Sequence, residues 1–421
     1  MATGVRDDLF ARALVMTDRK GISVGLVMLD LIGCFYDDVL AVREELGRRH
    51  PEVKLDYLAV ASTHTHAGPD VLGLWTPAGG SVDAEYVARV RREAVEAIAE
   101  GWRLRRPARL YAGAAAAPGL ALDTRRPEVL DETVMAMGLR AAADGAGIAA
   151  LVQWNSHPSV LGGDNTSISA DFPRDVVDAV GSDWGGTTLY ASGALGGQIG
   201  SGHLKLKDEQ TGKRATKDRL AAIVGGRIGE LALGALRAAV SDGPVDDPLL
   251  RLASRDFAVP LDNPRFAEGL AIGLIRARRV YPPDGGGSGW LPRDLPAKSR
   301  LVAGAFALRT EAAVVDIGSV RWALVPGELY PELSIGGIEA PQEPGADFQG
   351  APREPALRLI SSRPLFIIGL ANDELGYLIP KSEWDGEPPY AYGRSEPQYG
   401  ERNSCGPDTA RLVMDALAGI L

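Results

Sequence analysis

Three histidines stand where they could share a metal ion or move a proton. His64 and His66 lie two residues apart in ASTHTHAGPD (61–70), and His157 lies in QWNSHP (153–158). Zinc binds neutral imidazole well and lowers the pKa of its bound water to about 7. With only two cysteines in the chain, a cysteine-rich zinc or iron–sulfur site is excluded. Taken alone, an HxH pair fits a polar strand end as well as a metal site.

A carboxylate and a phenol appear late in the chain in similar settings. Glu328 ends VPGE (325–328), and Tyr377 ends GLANDELGY (369–377). Like the histidines, both follow apolar runs that we predict to be strands. Because sites in α/β sheets gather at the carboxyl ends of strands, the motifs together favour one centre of two histidines, a glutamate and a tyrosine. Separately, an exposed glutamate and a surface tyrosine are the simpler interpretations.

The elements that must position these residues alternate over the first 240 residues, which predicts a mixed, layered α/β fold with flanking helices. The predicted strands are Gly21–Leu31, Asp56–Ser62, Arg109–Ala114, Glu132–Arg140, Ile148–Asn155, Thr187–Ala191, Ala312–Gly318, Val320–Val325 and Pro364–Leu370. The predicted helices are Asp37–His50, Asp83–Trp102, Phe172–Val180, Lys217–Val240 and Pro407–Leu421. We expect one catalytic domain over residues 1–421, with exposed loops at 281–298 and 340–355.

The charge composition of the chain indicates which classes of partner it could bind. Against 45 Lys and Arg the chain has 55 Asp and Glu, a formal charge of −10, which argues against a nucleic-acid partner. No signal peptide and no membrane-spanning run is visible, so a cytoplasmic location is expected, although the first strand begins so early that an N-terminal piece could be missing. The oligomeric state stays open.

The motifs, in their order, resemble the neutral/alkaline (non-lysosomal) ceramidase N-terminal domain family. The matching segments are THTHAGPD (63–70), WNSHPSV (154–160), SADFP (169–173), ASGALGG (191–197), VPGE (325–328) and LANDELGY (370–377). The resemblance implies a zinc hydrolase that cleaves the amide of an N-acylsphingosine with metal-activated water. It also implies Zn²⁺ ligands at His64, His157, Glu328 and Tyr377. His66 would then stand beside the metal and position or protonate the amide.

The chain departs from that family in two places. The ceramidases carry Ser-Pro-Asn where this chain has no serine, near Gly197 and Gln198, and they carry a C-terminal immunoglobulin-like domain that is not seen here. We therefore expect a small-molecule or lipid-like amide as substrate, ceramide or another N-acyl compound. A metal-dependent esterase or lactonase is the alternative, and a non-catalytic binding protein of the same fold is a third.

Further residues are candidates to support the ligands or to contact the substrate: Asp30, Asn155, Asp171, Arg174, Gly196 and Gly197. The three acid and amide side chains could orient ligand imidazoles. Arg174 could bind a substrate carboxylate or phosphate, or pair with a nearby aspartate. The glycine-rich loop at 193–197 could let its N–H groups approach an oxyanion, or could be a tight turn. Apolar candidates for the pocket are Leu72, Leu74, Trp75 and Trp384.

Overall fold

The computed structural model describes residues 2–75, 81–273, 275–283, 304–336 and 354–421. The strands are β1 (Gly4–Val5), β2 (Ala11–Thr17), β3 (Ser23–Leu29), β4 (Tyr57–Ser62), β5 (Ala108–Ala116), β6 (Thr133–Ala141), β7 (Gly147–Trp154), β8 (Ser167–Ile168), β9 (Thr187–Ser192), β10 (Leu250–Pro260), β11 (Ala307–Ile317), β12 (Val320–Leu324), β13 (Glu328–Leu329), β14 (Leu365–Ile368) and β15 (Tyr377–Leu378). The helices are α1 (Tyr36–Arg49), α2 (Ala84–Arg103), α3 (Phe172–Trp184), α4 (Lys217–Asp242), α5 (Pro264–Ala271), α6 (Pro331–Ile335), α7 (Leu357–Ile360) and α8 (Thr409–Ala418). Four short 3-10 helices span Gly200–His203, Lys381–Glu383, Ala391–Gly393 and Gly400–Asn403.

Three mixed sheets form the framework. Their strand orders are β2-β3-β4, β5-β6-β7-β9 and β10-β11-β12-β14, and each ends in one parallel pair: β3 with β4, β7 with β9, and β12 with β14. Two short parallel pairs, β1 with β8 and β13 with β15, lie apart from these sheets. The predicted mixed α/β class is confirmed.

The inner faces of the three sheets share one apolar core. Alternate residues of a strand point to opposite faces. In β3, Leu26 and Met28 enter this core with Leu151 of β7 and Trp322 of β12, all almost fully buried. Val27, between the two β3 residues, packs instead against helices on the other face. Alternate residues of β3 therefore contribute to two different apolar cores, one on each face of the sheet.

Helices cover the outer faces of the sheets. The buried residues of α2 fall at helical spacing, for example Val87, Val95 and Ile98, and pack with α1 against β2 to β4. The Asp83 side chain begins α2 by accepting hydrogen bonds from the N–H groups of the second and third helical residues. In the same way α3 and α4 cover β5 to β9, and α5 and α8 cover β10 to β14. None of the described helices is long and apolar enough to cross a membrane.

Most predicted elements are present, with shifted ends. The predicted strands Ala312–Gly318 and Val320–Val325 form a hairpin, with Ile317 opposite Val320, and β6 confirms the predicted strand Glu132–Arg140. The prediction omitted β2 and β10. The predicted loop at 281–298 is wrong at its first residue, because Tyr281 is buried and pairs with Ala307. Residues 284–298 and 340–353 of the two predicted loops lie outside the described residues.

Candidate functional site

The two histidines of the first motif follow β4, whose end is extended by two more backbone hydrogen bonds. The N–H groups of Thr63 and His64 donate to carbonyls at the end of β3, each over 2.9 Å. At His64 the backbone turns to φ +68°, so the strand does not continue. A continued strand would have placed both rings on one face of the sheet, but the chain turns before His66. The turn itself brings the His64 and His66 rings together, with centroids 4.9 Å apart.

His157 follows β7 and joins the same cluster. Its ring is fully buried, and its centroid lies 4.9 Å from that of His64. Its N–H donates to the carbonyl of Gln198 over 3.0 Å. The N–H of His66 donates to the carbonyl of Pro158 over 3.1 Å, which ties the two histidine motifs to each other through the backbone.

Glu328 and Tyr377 reach the cluster as direct partners in the parallel pair of β13 and β15. The N–H of Glu328 donates to the carbonyl of Gly376 over 3.0 Å. The turn before it needs glycine, since Gly327 has φ +153° and a Cβ there would lie 2.7 Å from the Gly376 oxygen. One backbone register therefore fixes both side chains.

Four donor atoms converge from these elements. Oε2 of Glu328 lies 2.8 Å from Nε2 of His157 and 3.3 Å from Nε2 of His64. The Tyr377 hydroxyl lies 3.3 Å from the same His157 nitrogen. In addition, His64, His66 and His157 each offer a ring nitrogen, all within 4.8 Å of one another, and could hold a metal ion. The structure thus brings together all five residues that the sequence motifs single out.

The hydrogen bond on the far side of His64 decides which of its nitrogens faces the centre. Nδ1 lies 2.6 Å from the carbonyl oxygen of Ile32. A carbonyl can only accept, so Nδ1 carries a hydrogen, and in the corresponding neutral tautomer the lone pair of Nε2 points at the Glu328 carboxylate. Two lone-pair atoms 3.3 Å apart repel each other unless a cation, a proton or a metal ion, lies between them.

Burial and the neighbouring rings set the protonation of the centre. Burial alone would raise the pKa of Glu328, but the His64 and His157 rings outweigh it and hold that pKa well below the usual range. Burial lowers the pKa of His157 despite Glu328. Burial and the Glu328 charge raise the pKa of Tyr377 well above its usual value. The centre therefore combines an ionised carboxylate with a neutral phenol.

His66 differs from the other two histidines in its surroundings. Part of its side chain is open to solvent, and Trp75 stands 5.5 Å away between ring centroids. Desolvation by the surrounding protein, then the His64 and His157 rings, lower its pKa well below the usual value even so. No hydrogen bond to its ring nitrogens is formed by the described residues. This exposure leaves the His66 ring open to a molecule bound in the cavity that it lines.

A cavity of about 290 Å³ opens onto the centre, near the lower end of the range of roughly 300–1,000 Å³ for small-molecule sites. Leu72, Leu74 and Trp75 line it as expected, whereas Trp384 packs beside Tyr330 and Tyr377 outside the lining. Sequence reasoning missed several lining residues: Arg265, Phe266, Glu374, Tyr399, Arg402 and Asn403. Glu374 lies inside the LANDELGY motif but was not singled out, and no local pattern marks the others.

Glu374 is a buried acid in the wall of this cavity. Its Oε1 accepts the N–H of Gly376 over 2.9 Å, and its Oε2 has no hydrogen-bond partner among the described residues. Burial, then the nearby charge of Glu328, raises the pKa of Glu374 well above the usual carboxyl value. It is therefore a neutral acid beside the ionised one.

The acids and amide expected to orient imidazoles bond elsewhere within the described part of the chain. Asp30 accepts from Arg12 over 2.6 Å and from the N–H of Phe10 over 3.0 Å. Asn155 accepts the N–H of Ala194 over 2.8 Å and so holds the glycine-rich loop. Asp171 begins α3 by accepting the N–H of Phe172 over 2.7 Å. These three residues stabilise the surrounding fold without touching an imidazole.

Arg174 takes the simpler of its two expected roles. Its guanidinium pairs with Asp178, one helical turn away, over 2.7 Å. Both side chains are partly exposed, and neither lines the cavity beside the histidines. The structure therefore offers no substrate contact for Arg174.

The glycine-rich loop packs as a turn. The N–H of Gly196 already donates to the carbonyl of Leu329 over 2.8 Å, and that of Gly193 to Trp154 over 2.8 Å. A Cβ at Gly196 would lie 2.6 Å from the Tyr330 ring, and one at Gly197, where φ is +80°, would lie 2.8 Å from an Asp123 oxygen. Of the two expectations, the structure favours the tight turn over an oxyanion site.

The sequence and the fold of this chain were compared with those of known proteins. No family model and no curated protein sequence matches the chain. Among solved structures, neutral ceramidase from Pseudomonas aeruginosa superposes with a TM-score of 0.69 at 17% identity, over 99% of this chain and 69% of that one. The chain has the neutral ceramidase fold. A ceramidase complexed with C2 gives the same TM-score at 18% identity, over 99% and 70%. The neutral ceramidase fold confirms the resemblance seen in the motifs, and identity this low carries no more than the fold.

Proposed function

We propose that this protein is a zinc-dependent hydrolase that cleaves the C–N bond of a linear N-acyl amide. The observation that carries the proposal is the convergence of four side-chain donor atoms. The Glu328 oxygen lies 2.8 Å from the His157 nitrogen and 3.3 Å from the His64 nitrogen, and the Tyr377 oxygen lies 3.3 Å from the His157 nitrogen. The neutral ceramidase fold supports amide hydrolysis, and neutral ceramidase is the named activity of its solved neighbour.

The donor set fits zinc. Bonds of about 2.0–2.1 Å in a tetrahedron put neighbouring ligand atoms roughly 3.3 Å apart, close to the separations in this centre. A cation there would also remove the repulsion between Nε2 of His64 and Oε2 of Glu328. His64, His157, Glu328 and Tyr377 would hold the ion. When bound, zinc supplies polarisation of a carbonyl oxygen and a water whose pKa is lowered to about 7.

The remaining residues bind and orient the amide and handle the proton. His66 faces the cavity with ring nitrogens that no described residue engages, so it can take a proton from water and return it to the leaving amine. The Ile32 carbonyl holds the His64 ring in one tautomer. Apolar side chains such as Phe35 and Leu72 line the cavity and exclude water from the reacting bond.

Metal analysis tests the ligand set. We expect about one zinc per chain in the purified protein, loss of zinc with a chelator, and rebinding on addition. H157A should lose the metal because it removes a fully buried donor. H203A is the matched control, since His203 is exposed and lies outside the cavity. Unchanged zinc in H157A would contradict the assignment, and a folded chain unable to bind zinc would contradict the enzyme proposal.

A substrate panel tests the bond. Zinc-loaded protein should release free acid from N-acyl amines, and the chelated protein should not. If esters or lactones are cleaved and amides are not, the protein is a metal-dependent esterase or lactonase and not an amidase. No turnover of any of these compounds by a zinc-loaded chain would favour a binding protein.

A further inference from the structure

Two arginines stand in the cavity wall outside the proposed metal centre. Arg265 and Arg402 line the same cavity as His66 and Tyr377. Most of the remaining wall is apolar, from Ile32 to Phe266 and Ile275. A positively charged side chain beside an apolar wall is complementary to an amphipathic anion.

Arg265 has its charge available. It is exposed, and no acidic side chain of the described residues pairs with it. Arg402 is more constrained, since it forms an ion pair with Glu396. Guanidinium groups bind carboxylates through two parallel hydrogen bonds, and the site for such a bond at Arg265 faces the cavity and solvent.

The backbone holds the two arginines at one edge of the cavity. The Asn263 side chain accepts the N–H of Arg265 over 3.1 Å, which begins α5. The same side chain donates to the carbonyls of Glu401 over 2.9 Å and Ser404 over 2.8 Å, the segment that carries Arg402. Phe266, next to Arg265, is buried in the core under β10 to β14. The main chain at Arg265 is therefore held in place by hydrogen bonds, although the side chain is exposed.

We propose that the substrate of this site carries a carboxylate, bound by Arg265 with Arg402 beside it, and is thus an N-acyl amino acid or a similar acidic amide. This inference rests on the proposed function for the reacting bond. The apolar wall takes the acyl chain, the donor cluster takes the amide, and Arg265 takes the carboxylate.

Paired substrates test the inference. N-octanoylglycine and N-octanoylglycinamide differ in one terminal group, a carboxylate or a neutral amide. Zinc-loaded wild type should cleave the acid with at least a tenfold higher kcat/KM. R265Q should lose about tenfold or more on the acid, mostly through KM, and should change less than threefold on the amide. R265K should fall between them, because lysine keeps the charge and loses the fork.

R251Q is the matched control, since Arg251 is an exposed arginine of β10 that does not line the cavity. Equal kcat/KM of wild type for the two compounds would overturn the inference. So would a fall in R265Q that is the same for both compounds.

Calorimetry separates a failure of this inference from a failure of the proposed function. If no amide is cleaved, the hydrolase proposal fails, and binding still decides the role of Arg265. N-octanoylglycine should bind wild type at least tenfold more tightly than it binds R265Q. Any attraction of the carboxylate to the metal is common to both proteins and cancels in this ratio. Equal affinity of the two proteins would overturn the inference.

Discussion

At the scale of single residues, hydrogen bonding of the ring nitrogens distinguishes His64 from His66. Nδ1 of His64 is engaged by the Ile32 carbonyl at 2.6 Å, so Nε2 is the only nitrogen left for the centre. His66 has neither nitrogen engaged by the described residues and faces the cavity. Two histidines that are equivalent in the motif therefore become a ligand and a proton carrier in the proposal.

Replacing His66 by alanine should separate catalysis from metal binding. We expect H66A to keep about one zinc per chain, because four donors remain, and to lose kcat by about 10²- to 10⁴-fold, the usual contribution of a general acid or base. Zinc content and kcat should be measured on one preparation, with the amide that wild type cleaves fastest. Loss of zinc would instead make His66 a ligand, in the three-histidine group that the geometry also allows.

At the scale of elements, the short pair of β13 and β15 sets the metal centre more directly than the large sheets do. Each strand has two residues, yet their register places Glu328 opposite Tyr377. Gly327 allows this approach because only glycine avoids a contact of 2.7 Å with the Gly376 carbonyl. The glycine of VPGE is therefore required by packing.

Adding one methyl group at Gly327 should disturb the site from outside the ligand set. G327A should destabilise the fold by about 1–3 kcal/mol and weaken zinc binding, because the Cβ pushes β13 away from β15. Urea unfolding and zinc titration measure the two effects. G226A is the control: a Cβ on that α4 residue meets nothing within 4 Å, and alanine should stabilise the helix by up to about 1 kcal/mol. Unchanged zinc affinity in G327A would contradict the argument.

At the scale of the whole molecule, three sheets share a core and direct their strand ends to one place. β4 leads to His64, β7 to His157, β12 to Glu328 and β14 towards Tyr377. The common core of the inner faces fixes these four ends relative to one another. That core is apolar, so buried ionisable groups around it make stability depend on pH.

The buried carboxyl group of Asp171 should make the stability of the fold depend on pH to a measurable extent. Burial raises its pKa to about 6, against about 3.9 in an unfolded chain, so the folded protein binds this proton more tightly. Its favourable contribution is complete below about pH 4 and is lost as pH rises through about 6. Between pH 5 and 8, wild type should lose about 1–2 kcal/mol relative to D171N, which cannot ionise.

Urea unfolding of both proteins at the two pH values measures this difference. D171N loses one of the two backbone hydrogen bonds that the carboxylate accepts, from Leu161 and Phe172, and this cost is the same at both pH values. A gap between the two proteins that does not change with pH would show that Asp171 is ionised in the fold throughout.

Much of the fold could be predicted because its causes are local in sequence. Continuous apolar runs gave β3 and β7 nearly complete, and the helical pattern gave α4. The strand β10 escaped because it borders its sheet and carries Arg251, Arg255 and Asp256, so alternation with apolar residues is weak. One domain over residues 1–421 stays a prediction.

The sequence by itself determined which side chains could do chemistry. They are the histidines, the glutamate and the tyrosine that follow apolar strands and turns. Only the tertiary structure decided their distances, because the contacts join residues 171 and 220 positions apart, beyond the reach of any local pattern. It also decided that Asp30 and Asn155 support the fold, and that Arg265 stands in the cavity wall. Long-range packing of three sheets on one core is the physical reason for both results.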